Sequence, residues 1–93
     1  MIFQRDTLLA TIAFRGGLAK RSDLYMLQEE MNNRGERHLI SSGFLIRAKI
    51  GGRVIFHITE KGVEHLMGLG FVIKHPKLRA VVRGILKDKR RSA

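Results

Sequence analysis

Histidine and carboxylate side chains are the groups of this chain best suited to metal binding or acid–base catalysis. The four histidines occur without HxxxH or HExxH spacing, and no carboxylate lies at a ligand offset on the same predicted face. Glu29 and Glu30 are adjacent on a predicted helix, where such a pair is usually a solvated surface. We therefore expect structural or surface roles for these groups, and no metal site. The histidines are His38, His57, His65 and His75.

Patterns for a nucleophile or a phosphate loop are also missing from the sequence. Ser41-Ser42 lacks a nucleophile-elbow sequence around it, because no glycine stands two residues before either serine, and the glycines form neither GxGxxG nor GxxxxGKS/T. The absence of cysteine excludes disulfides and cysteine-based chemistry. The sequence therefore predicts a protein that is not an enzyme and that needs no cofactor.

The charge of the chain is strongly positive and unevenly distributed. The 93 residues include 18 Lys and Arg against 8 Asp and Glu, a net charge of +10 at pH 7. Residues 74–93 hold eight of these cations against Asp88 alone, whereas residues 1–73 are nearly balanced. Such an excess attracts polyanions, so it favours a nucleic-acid partner. The alternative is a surface that uses lysine and arginine only for solubility.

Apolar spacing predicts three helices in the first half of the chain. Asp6 can cap a first helix that ends at Gly16-Gly17. Ser22 can cap a second, and the capping-box spacing of Asn33 and Glu36 starts a third, near residue 34, that runs to about residue 42. The expected inward residues are Leu8, Leu9, Ile12 and Ala13, then Leu24, Leu27 and Met31, then Leu39 and Ile40.

Two alternating apolar runs around Gly51-Gly52 predict a β-hairpin. Opposite residues of an antiparallel pair share a face, and a two-residue loop would set Arg47 against Phe56. A three-residue loop that includes Arg53 pairs only apolar residues, so we predict that loop. The expected inward residues are Ile46, Ala48, Ile50, Val54, Phe56 and Ile58; the expected outward residues are Arg47, Lys49, Ile55 and His57.

Two further helices are predicted after the hairpin. Thr59 can cap a fourth helix that carries Val63, Leu66 and Met67 and ends near residues 68–70. Pro76 then suits the first turn of a C-terminal helix. That helix has an aliphatic stripe at i, i+3, i+4, i+7 and i+8, and a basic opposite face. The stripe consists of Leu78, Val81, Val82, Ile85 and Leu86.

Two short segments resemble parts of the winged helix-turn-helix family of DNA-binding domains. Residues 40–45, ISSGFL, are similar to the family's exit from its third helix, and residues 58–62, ITEKG, to its exit from the hairpin. The resemblance covers about residues 6–67 and does not choose among MarR-like, ArsR-like and PadR-like regulators. It implies a mainly α fold with a small β-hairpin wing (α+β) over residues 1–73. Residues 74–93 would be an additional basic amphipathic helix and tail, within the same domain or as a dimerisation element.

The resemblance also implies which residues contact DNA. The family's third helix enters the major groove, and arginine and asparagine suit guanine and adenine edges there. The corresponding residues here are Asn32, Asn33, Arg34, Arg37, His38 and Ser41. The alternative is that Arg34 and Arg37 only pair with Glu30 or Glu36 on the helix surface.

The hairpin corresponds to the family's wing, which reaches an adjacent groove or the phosphate backbone. Its glycines would allow close approach, and its cations would supply charge. The implied wing residues are Arg47, Lys49, Gly51, Gly52 and Arg53. The alternative is an ordinary hairpin with solubilising charges.

We expect a sequence-specific protein for double-stranded DNA, a homodimeric transcriptional regulator that pairs through the C-terminal stripe. That stripe could instead pack on the chain's own core or lie on an anionic membrane, although a membrane partner is not expected. An RNA- or ribosome-associated module and a protein-interaction adaptor are the alternative functions. No signal peptide or membrane span is evident, so a cytoplasmic, nucleoid-associated protein is expected.

Overall fold

The computed structural model describes residues 4–20 and 33–92, which form four α-helices and a three-stranded antiparallel sheet. The predicted α+β class is confirmed. The predicted second helix, with Ser22, Leu24, Leu27 and Met31, lies outside the described residues. In chain order the elements are α1 (Gln4–Phe14), β1 (Leu18–Lys20), α2 (Asn33–Ser41), β2 (Leu45–Ile50), β3 (Arg53–Ile58), α3 (Glu60–Gly68), a 3-10 turn (Pro76–Leu78) and α4 (Arg79–Ser92).

One apolar core joins the helices to one face of the sheet. The residues of α1, α2 and α3 that their spacing predicted to face inward are buried or half-buried, and full burial of such side chains is worth about 1.5–3 kcal/mol apiece. No helix in the described ranges is both long enough and apolar enough to cross a bilayer. The core includes Leu9, Ile12, Leu39, Leu45, Phe56, Val63, Leu66, Ile73, Leu78 and Ile85.

The prediction that Asp6 caps α1 is wrong. The helix begins at Gln4, so Asp6 lies in its first turn. Its carboxylate is buried and lies 2.9 Å from Nε2 of His65 on α3. The Asp6 side chain, which was predicted to cap a helix, therefore forms a tertiary contact between α1 and α3. The predicted end at Gly16-Gly17 is confirmed, since both residues follow the helix with positive φ.

A third strand, β1, extends the sheet beyond the predicted hairpin. It pairs with β3 from Leu18↔His57 to Lys20↔Ile55, which gives the strand order β1-β3-β2. Only Ala19 of its three residues is buried. A strand this short shows no alternation that a sequence pattern could reveal.

The hairpin register differs from the prediction. The loop has two residues, Gly51-Gly52, and the pairs include Ile50↔Arg53 and Arg47↔Phe56. Both glycines have positive φ, 58° and 77°, as a type I′ turn requires. Two adjacent glycines allow this tight turn without steric cost. The register is therefore determined by the turn and not by the matching of apolar residues.

In this register, the β2 residues that were predicted to face the core lie on the opposite face of the sheet. On β3, Val54, Phe56 and Ile58 face the core as predicted. On β2, Ile46 and Ile50 instead lie outside, 56% and 60% exposed, and the prediction that they face the core is wrong. Arg47 and Lys49, predicted to lie outside, share the core-side face with Phe56 and Val54 but extend past the core and are exposed.

The two segments that resemble winged-helix exits meet in space. Thr59 caps α3 as predicted, since its hydroxyl accepts from the Gly62 amide at 3.0 Å. The same hydroxyl donates to the Gly43 carbonyl, and the Thr59 amide donates to the Phe44 carbonyl at 3.0 Å. These bonds fix the turn after α2 against the start of α3.

The C-terminal stripe belongs largely to the chain's own core. Leu78 and Ile85 are 7% and 3% exposed and pack in the core cluster, so assigning them to a dimer contact is wrong. Val81 and Val82 are half-buried against the same core, and Leu86 is 47% exposed. A dimer contact through these last three residues stays a prediction. Pro76 begins the 3-10 turn that leads into α4, close to its predicted place.

Candidate nucleic-acid interface

The exposed face of α2 carries polar residues in one stripe. Leu39 is buried and Ile40 half-buried, which leaves Arg37, His38 and Ser41 on the solvent side. These three are spaced at i, i+1 and i+4, within one side of the helix. Asn32 and the side chains of Asn33 and Arg34 lie outside the described residues.

Arg37 is available for an external partner. It makes no ion pair or hydrogen bond with any residue that the structure describes. The alternative in which Arg37 pairs with Glu36 therefore does not hold, and the pairs that involve Glu30 or the Arg34 side chain lie outside the described residues. The Ser41 hydroxyl donates to the His38 carbonyl at 3.2 Å, which leaves its oxygen able to accept. A planar guanidinium with five free donors suits bidentate recognition of a base edge or a phosphate.

The hairpin presents cations on both of its faces. Arg47 and Lys49 lie on the side of the sheet against which the helices pack, and Arg53 lies on the other side, opposite Ile50. All three are exposed, and none makes an ion pair with a described residue. Gly51 and Gly52 have open space around their α-carbons, so another molecule could approach the tip closely.

Positive charge is also in excess in this part of the chain. From Asn33 to Ile58 the sequence holds five cations and one acid, Glu36. The helix and the hairpin are consecutive elements, and the turn between them is fixed by the Thr59 bonds. The described cations of these elements, Arg37, Arg47, Lys49 and Arg53, therefore have a defined relative placement, which a polyanion of regular shape can match.

Lys61 is a residue near this surface that sequence reasoning did not single out. Its ammonium lies 5.9 Å from the centre of the Phe44 ring, beside the turn that ends α2. The other side of the turn is supported by His65, whose ring stacks on Phe44 at 4.3 Å between centroids. The sequence placed Lys61 only within the ITEKG segment; its nearness to α2 depends on the packing of α3.

His65 and His75 have local roles. His65 bonds to Asp6, and Nδ1 of His75 accepts from the Lys77 amide at 3.2 Å and caps the 3-10 turn. Within residues 4–20 and 33–92, no three side chains of metal-binding type lie together. The chain matches no protein-family model, no curated protein and no solved structure.

Proposed function

We propose that this chain is a winged helix-turn-helix protein that binds double-stranded DNA in a sequence-specific manner and acts as a transcriptional regulator. In this proposal α2 lies in the major groove and the β2–β3 hairpin is the wing. One observation supports this proposal most. An exposed polar stripe on α2, in which Arg37 has no partner among the described residues, is followed directly by a cationic hairpin whose position is fixed.

The dimensions and residue types support a major-groove contact. The major groove is about 12 Å wide and admits one α-helix, and its base edges offer paired acceptors on guanine. Arg37 is the residue that would read such an edge, with His38 and Ser41 beside it. The hairpin cations would contact phosphates, which position the protein without reading sequence.

Structured RNA is the second candidate ligand, because the same charge would attract it. Its deep, narrow major groove excludes a helix, so α2 would lose its base contacts there. We therefore expect duplex DNA to compete better than single-stranded DNA or an RNA hairpin of equal phosphate number for the protein bound to a labelled duplex. Stronger competition by the RNA hairpin would replace the regulator proposal with an RNA-binding one.

The hairpin contact predicts a change in salt dependence. The double substitution Arg47→Ala and Lys49→Ala is expected to weaken binding to all duplexes similarly and to reduce the slope of log affinity against log salt by roughly 0.9 per lost phosphate contact. Fluorescence anisotropy across a salt series measures that slope.

A matched control removes the same charge elsewhere. Arg79→Ala with Arg83→Ala, on α4, also removes two exposed cations. This control is expected to leave the slope nearly unchanged. Equal slopes for both double variants would mean that the hairpin makes no phosphate contacts of its own.

A further inference from the structure

A cleft of about 300 Å³ opens between α4 and the segment that follows α3. Ile73 and Val82 line it with apolar surface, and the cations Lys74, Arg79 and Arg83 complete its wall. A volume of this size is at the small end of the range for ligand pockets, about 300–1,000 Å³. It suits one bulky side chain better than a drug-sized molecule.

The charge of the cleft has no counterpart within the described chain. None of its three cations makes an ion pair or hydrogen bond with a described residue. The sequence from Leu69 to Lys87 contains no Asp or Glu at all. Within the part of the chain that the structure describes, these three cations therefore remain available to an anionic group.

The pattern of the cleft continues along α4. Arg79, Val82, Arg83 and Leu86 have the spacing i, i+3, i+4 and i+7, so they form one stripe of alternating cations and apolar groups. Leu86, 47% exposed, extends the stripe about one helical turn beyond the cleft. A small anion in the cleft would leave Leu86 uncovered, and a nucleic-acid backbone would offer nothing apolar to Val82.

A second copy of this chain, the predicted dimer partner, fits this stripe less well than an acidic segment does. A two-fold contact through the stripe would bring Arg79 and Arg83 of both copies together with no acid between them. Leu78 and Ile85 lie in the core, which leaves Val81, Val82 and Leu86 as the apolar residues of the stripe, whereas stable dimers bury about 800 Å² or more on each partner.

We infer that the cleft and the adjoining stripe of α4 are a docking site for an acidic amphipathic peptide segment of a protein partner. An apolar side chain of the peptide occupies the cleft over Ile73 and Val82, and another covers Leu86. Carboxylates at helical spacing pair with Arg79 and Arg83. The site is separate from α2 and the hairpin, so it does not depend on the DNA-binding proposal.

The test uses the full chain and a fluorescein-labelled helical peptide that carries leucine and glutamate at i, i+3 and i+4 positions. We expect this peptide to bind. The same peptide with glutamine in place of glutamate should have an affinity at least about tenfold lower. Arg79→Glu with Arg83→Glu should reduce binding of the glutamate peptide by a similar factor. A lysine version of the peptide should regain binding to that double variant.

The control reverses the same number of charges at the proposed DNA interface. Arg37→Glu with Arg53→Glu should keep peptide binding while it abolishes duplex binding. Arg79→Glu with Arg83→Glu should lose peptide binding and keep duplex binding. Peptide binding that is insensitive to the α4 reversal, or equal loss in both variants, would overturn the docking site. So would a wild-type dimer that Val82→Glu dissociates, or binding of phosphatidylglycerol vesicles in place of the peptide that depends on Arg79 and Arg83.

Discussion

Replacing Gly62 with alanine is expected to lower the free energy of unfolding by about 2–4 kcal/mol. A Cβ at this buried position would overlap the Phe44 carbonyl oxygen and lie 2.9 Å from Cγ1 of Ile58. Because that carbonyl accepts from the Thr59 amide, any shift that relieves the overlap also disturbs the turn after α2. Urea denaturation followed by circular dichroism measures the change.

Gly84→Ala is the matched control for this substitution. Gly84 lies within α4, and a Cβ there would meet no atom within 4 Å. Alanine favours the helix over glycine, so this variant should gain about 0.5–1 kcal/mol. If Gly62→Ala were as stable as Gly84→Ala, the close packing of α3 on the α2–β2 turn would be wrong.

Replacing Arg37 is expected to have the largest effect on DNA recognition. Arg37→Ala should cost about 1–3 kcal/mol of affinity for a duplex that the wild type selects from a random pool, if the guanidinium reads a base. Arg37→Lys keeps the charge but loses the bidentate fork. It should therefore bind random duplex nearly as well as wild type and still lose its preference for the selected sequence.

Arg83→Ala provides the control for charge alone, since Arg83 is also exposed, on α4. It should retain the wild-type ratio of affinities for selected and random duplexes. Should Arg37→Lys also keep that ratio, Arg37 contacts phosphate or solvent, and base reading must come from other residues of α2.

The helices after residue 33 could be predicted closely because several local signals agree on each. Thr59 has a side chain suited to an N-cap, and the residues after it have helical apolar spacing. In the structure, α3 begins at Glu60. The same holds for α2, which runs from Asn33 to Ser41 against an expected range of about 34–42. Where capping, spacing and a following glycine coincide, tertiary packing has little to change.

The hairpin register could not be predicted from apolar matching, because two local preferences conflict there. Pairing Ile50 with Val54 would hide more apolar surface, whereas Gly51 and Gly52 favour a two-residue turn with positive φ. The turn determines the outcome, and Ile46 and Ile50 remain exposed. The candidate site is affected directly, since Arg47 and Lys49 lie on the helix side of the sheet.

The roles of Asp6 and of the α4 stripe depend on contacts between distant parts of the chain. A carboxylate near a helix start fits a cap as well as it fits the contact with His65, 59 residues later in the sequence. An aliphatic stripe shows that a helix face is covered, but not which molecule covers it. Leu78 and Ile85 turn out to cover the chain's own core.

Binding to duplex DNA at low salt is the measurement that tests the central proposal most directly. The purified protein is titrated against a fluorescein-labelled duplex at low and at near-physiological salt. The proposal predicts binding at low salt that weakens steeply as salt rises, with a selected sequence bound more tightly than a scrambled one. No binding at low salt would contradict it, because Arg37 and the hairpin cations, which have no partner among the described residues, should give at least nonspecific affinity.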